Sequence, residues 1–80
     1  MSNRTIVVTR EKVDRAEGLV SRFTVSTRTN TGSPALDQHT EHATRISDVQ
    51  AREVLEGLGA TISEARDLVA IADRFGLAVK

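Results

Sequence analysis

Apolar positions in the first third of the chain fall in β-branched or alternating runs, whereas in the last third they recur at helical spacing. Ile6-Val7-Val8-Thr9 is β-branched throughout, a composition that suits a pleated strand. Residues 19–29 alternate. Leu19, Phe23 and Val25 share one side with Ser21 and Thr27, while Arg22, Thr24, Ser26 and Arg28 share the other with Val20. Between these runs lies Ala16-Glu17-Gly18, and Gly18 can supply the positive φ that closes a three-residue hairpin loop. Such a loop sets Arg15 opposite Leu19, Glu11 opposite Phe23 and Thr9 opposite Val25. Val7, Val13, Leu19, Phe23 and Val25 then form the face that meets the rest of the protein. A competing pattern exists, because Val13, Ala16, Val20 and Phe23 also recur at helical spacing with Thr9 as a cap. Gly18 would sit inside that helix at a cost of about 1 kcal/mol relative to Ala, which favours the hairpin.

Asn30-Thr31-Gly32-Ser33-Pro34 is a cluster of turn formers. It opens a connector reaching residue 46, in which Thr44-Arg45-Ile46 is the candidate for a third strand. Ser47 and Gln50 then match a capping box, followed by Ala51, Val54, Leu55 and Leu58 on one helical face. Gly57 and Gly59 mark the end of this helix, with Gly59 the better left-handed cap. Thr61 and Glu64 match a second capping box, with Ser63 as an alternative cap. Ala65, Leu68, Val69 and Ala72 continue as an apolar stripe that Phe75 extends, and Gly76 stops it. The pattern predicts an α+β fold in which an N-terminal antiparallel β-hairpin, with a candidate third strand, packs against a C-terminal pair of α-helices. One domain spans 1–80, with a sheet part at 4–29, a connector at 30–46 and a helical pair at 47–76.

Charge follows the same division. Residues 1–33 carry six Arg or Lys and three Asp or Glu; residues 34–80 carry five and eight. The formal net charge of zero hides this polarity. In the three-residue-loop register, Arg10, Lys12, Arg22 and Arg28 lie on the hairpin face away from the helices, with Thr24 among them. Lys12 falls opposite Arg22, a like-charge pairing that a bound anion or acidic surface would offset. Arg10, Lys12, Arg22, Thr24 and Arg28 are therefore the candidate binding residues.

Eighty residues bury a small core, and no cysteine is present to reinforce it, so association into a homodimer is expected. An exposed strand edge of the hairpin is one candidate interface. The N-terminal apolar run is only three residues, Ile6 to Val8, which predicts neither a leader nor a membrane span and so a cytoplasmic protein. Nine arginines to two lysines, with no Tyr or Trp, resemble the coding bias of a high-GC bacterium or its phage. Asp37, His39, Glu41 and His42 have metal-binding side chains, but the two histidines are three apart and no third ligand stands at a recognised distance. No nucleophile elbow or phosphate loop occurs. No metal, cofactor or catalytic activity is expected. A helix-turn-helix reader is disfavoured because the second helix opens with Glu64, Arg66 and Asp67. The lack of Tyr and Trp disfavours single-stranded nucleic acid. The expected function is a regulatory interaction module that binds a protein partner, with an anion or nucleic acid on the basic hairpin face as the alternative.

Overall fold

The computed structural model describes residues 3–30 and 38–80. Six elements follow in order: β1 (Asn3–Arg15), β2 (Gly18–Asn30), β3 (Gln38–Ile46), α1 (Asp48–Gly57), α2 (Ile62–Phe75) and β4 (Leu77–Val79). The four strands form one antiparallel sheet in the order β3-β2-β1-β4. Both helices cover one face of it, giving the expected α+β class with a hairpin and a helical pair. Residues 10–22 are hairpin, not helix. The connector is in large part a nine-residue strand, longer than the three residues expected. A fourth strand, β4, pairs with β1 beyond the end of the helical part. The turn cluster at 31–34 and Asp37 lie outside the described residues.

The hairpin register differs from the expected one by a single residue. Ala16 and Glu17 alone form the turn, and Gly18 is already the first residue of β2, paired with Arg15 at φ 113°. Gly18 does supply the positive φ, but as a strand residue that corrects the splay of a tight turn. The consequence is large, because a one-residue slip moves every side chain of one strand to the other face. Even-numbered residues of β1 now share a face with odd-numbered residues of β2. Ile6, Val8, Phe23 and Val25 are buried together, with Ala78 of β4 beside Val8. Val7 and Val13, expected in the core, are half-buried on the other face, and Leu19 is 71 % exposed.

The helical layer follows its sequence signals closely. Ser47 and Gln50 complete one capping box, and Thr61 and Glu64 complete the other. Each ties down two backbone N–H groups that have no partner within the helix. Gly76 ends α2 in the left-handed region, φ 88°, and its N–H returns to Ala72 O. Ala51 and Leu55 of α1 pack with Ala65, Leu68, Val69 and Ala72 of α2 onto the sheet, and Val54, Leu58 and Ile46 close the margin. Phe75 does not extend this stripe; it is 71 % exposed, with the Arg74 guanidinium 5.4 Å from its ring centre.

Candidate functional site

Two surfaces follow from this architecture: the sheet face that no helix covers, and a cleft where β2 outruns β3. The open face is built by alternation. Thr5, Val7, Thr9, Glu11 and Val13 of β1 lie beside Arg28, Ser26, Thr24, Arg22 and Val20 of β2, respectively. From β3, His39 stands by Arg28 and Glu41 by Ser26. From β4, Val79 stands by Val7 and Leu77 by Thr9, and both are at least half exposed. The face thus carries cross-strand rows: His39–Arg28–Thr5, Glu41–Ser26–Val7–Val79, Thr24–Thr9–Leu77 and Arg22–Glu11, with Val13–Val20 toward the hairpin tip. Arg45 of β3 joins the Arg22–Glu11 row, its Nε donating to Glu11 Oε1 at 3.2 Å.

β3 reaches these positions through two irregularities. Thr44 and Arg45 together oppose Thr24, and His42 is an extra residue between Ala43 and Glu41. Arg45 has φ 53°, a left-handed conformation uncommon for a residue with a Cβ, which re-aims its side chain toward Glu11. His42 is turned away from His39 and Glu41, and its Nε2 lies 2.8 Å from Thr27 Oγ1. His39, Glu41 and His42 therefore do not converge, and no group of three metal-ligating side chains occurs among the described residues.

The five candidate binding residues do not share one face. Arg22, Thr24 and Arg28 belong to the open face by register. Arg10 and Lys12 alternate with Val8 and belong to the side of the helices. Arg10 Nη1 donates to the carbonyl of Asp73 in the last turn of α2, and the Arg10 backbone N–H donates to Gly76 O at 3.0 Å. Lys12 Nζ donates to Ser21 Oγ at 2.8 Å, and Ser21, not Arg22, is its cross-strand partner. The expected Lys12–Arg22 repulsion is absent because Arg22 stands opposite Glu11. Arg4 repeats the Arg10 arrangement at the far end of β1: its Nη2 donates to Leu58 O, the carbonyl of the α1 C-cap, at 2.6 Å. Both contacts place a cation where helix carbonyls have no partner and the helix dipole is negative. The sequence marked Arg10 as basic but carried no sign that its partner is a helix end.

The cleft has a volume of about 530 Å³. β2 loses its β3 neighbour beyond Phe23, which pairs with Ile46 at the end of β3. Val20 to Phe23 form one wall, and the opposite walls are Ser47, Asp48 and Arg52 of the α1 start and Arg66, Val69, Ala70 and Asp73 of α2. In the sequence Arg52 reads as an ion-pair partner for Asp48 one turn away and Arg66 as part of the charged opening of α2, and neither reads as part of a site. The Asp48–Arg52 pair does not form among the described residues.

No protein-family model matches the chain, and comparisons with curated proteins and with solved structures returned no match. No helix is long and apolar enough among the described residues to cross a membrane.

Proposed function

We propose that this chain is a non-enzymatic regulatory module that acts by binding protein through the open face of its sheet, and that its first partner on that face is a second copy of itself. The observation that carries the reading is the composition of that face. Val7, Val13, Val20, Leu77 and Val79 leave apolar surface on it, and charges of both signs alternate among them. A face meant only for water has no use for this apolar area, whereas sheet-on-sheet packing does.

A two-fold axis along the Thr24–Thr9 row brings the same face of two copies together. It sets the Glu41 row of one protomer over the Arg45 and Arg22 row of its partner. Glu41 then meets Arg45 twice, once on each side of the axis, as an isologous interface requires. The sheet edges are less suited to association. One edge is β3, with its two irregularities, and the other is β4, only three residues long. Bulged and short edges are the usual protection against strand addition. The hairpin arm beyond Phe23 and Arg10 keeps free edges but no comparable apolar area, so the open face is the preferred interface.

Light scattering at high-micromolar concentration tests the reading. A homodimer is expected for the native chain, and a monomer with unchanged circular dichroism for Thr24→Glu, which sets like charges against each other at the axis. A monomeric native chain, or a Thr24→Glu variant that remains dimeric, overturns it.

A further inference from the structure

The second surface is the cleft beneath the hairpin arm, which meets the open face at Val20 and Arg22 on the free edge of β2. From it we infer that the protein has a binding site for an oxyanion-bearing ligand, a phosphate or carboxylate group gripped by Arg52 and Arg66, with Arg22 at the β2 rim. Three observations lead there. The cleft is in the size range of small-molecule sites, and its three arginines come from three different elements, β2, α1 and α2. Arginines brought to one cleft from separate elements are not a by-product of one helix's solvated face.

The other arginines near the helices are already engaged. Arg4 and Arg10 hold helix carbonyls, Arg45 holds Glu11, and Arg74 lies over Phe75. By contrast, neither Arg52 nor Arg66 forms an ion pair among the described residues, and Arg22 Nη1 donates only to its neighbour's carbonyl, Ser21 O, at 3.2 Å. This holds although Asp48 and Asp73 line the same cleft.

The lining also suits an organic ligand better than a bare ion. Val20, Phe23, Val69 and Ala70 offer apolar wall, and the two aspartates offer acceptors for donor groups on the same molecule. Guanidinium groups grip planar or tetrahedral oxyanions with paired hydrogen bonds, which a lysine cannot do. Two sources of that chemistry, phosphoryl and carboxylate, fit the same arginines.

Calorimetric titration at low salt with pyrophosphate and with citrate tests the site. The native chain should bind at least one of them saturably, with Kd below about 1 mM. Binding of pyrophosphate alone identifies a phosphoryl site, and of citrate alone a carboxylate site. The double variant R52A/R66A should bind at least about tenfold more weakly. The control R15A/R74A removes the same charge from exposed positions outside the cleft and the open-face rows and should leave affinity within about twofold. R52K/R66K keeps the charge and the helix surface but loses the paired geometry, so it should also bind weakly if it folds. Absence of saturable binding, equal loss in R52A/R66A and R15A/R74A, or full affinity in R52K/R66K would overturn the inference.

Discussion

At the scale of single residues, Arg10 shows how one side chain changes meaning with register. In the sequence it belongs to a basic stripe, with Lys12, Arg22 and Arg28. In the structure it caps α2 from the sheet side, with its Nε buried and unpartnered beside the Asp73 contact. Arg10→Met should therefore lower stability by about 1–2 kcal/mol, because a charge-assisted bond to a helix C-terminus is lost. Lys12→Met, whose partner is an exposed serine bond, should change stability by less than about 0.5 kcal/mol. Urea unfolding followed by circular dichroism separates the two; equal effects would place Arg10 back on a solvated face. Phe23 and Leu68 were legible as core from pattern alone and are 2 % and 6 % exposed. Phe23→Ala should cost about 3–5 kcal/mol and Leu68→Ala about 2–5 kcal/mol, enough to unfold a small domain in ordinary buffer.

At the scale of elements, the helices were readable and the sheet only partly so. Helix ends are written locally: Ser47 with Gln50, Thr61 with Glu64, and Gly76 each need only neighbours within one turn. Ser47→Ala or Thr61→Ala should each cost about 1 kcal/mol, measurable in the same unfolding experiment. Register is not local in this way. Ala16-Glu17-Gly18 accommodates a two- or a three-residue loop, and the choice decides whether Ile6 and Val8 or Val7 and Val13 enter the core. β3 was obscured because it is a polar edge strand whose period is broken at His42 and Arg45. Leu77-Ala78-Val79 is too short to show a period, and only its pairing with Val7, Val8 and Thr9 makes it a strand. The hairpin tip, in contrast, has neither β3 nor β4 at its sides and Leu19 in solvent. Two strands alone are marginal, so amides of residues 12–21 should exchange with solvent well before those of 6–9 and 23–27. Hydrogen exchange mapped by residue checks this, and uniform protection along the hairpin would show that the tip is covered in solution.

At the scale of the molecule, cations of the sheet hold the helices mainly by the carbonyls at their ends. Arg4 and Arg10 reach from β1 to the ends of α1 and α2, and Lys80 after β4 pairs with Glu64 at the start of α2. The polarity was legible in the sequence, but its internal use was not, because it depends on which strand face meets the helices. With those charges engaged, the open face keeps a mixed and self-complementary pattern rather than a basic one. That pattern predicts a specific behaviour on exchange of charges across the proposed two-fold axis. Glu41→Arg alone sets two arginines together on each side of the axis, and Arg45→Glu alone sets two glutamates together, so each variant should be a monomer. An equimolar mixture restores opposite charges at both contacts. The deciding measurement is light scattering of the two variants separately and mixed. The account predicts monomer mass for each alone and dimer mass for the mixture; two variants that stay dimeric alone, or a mixture that stays monomeric beside a dimeric native chain, would contradict it.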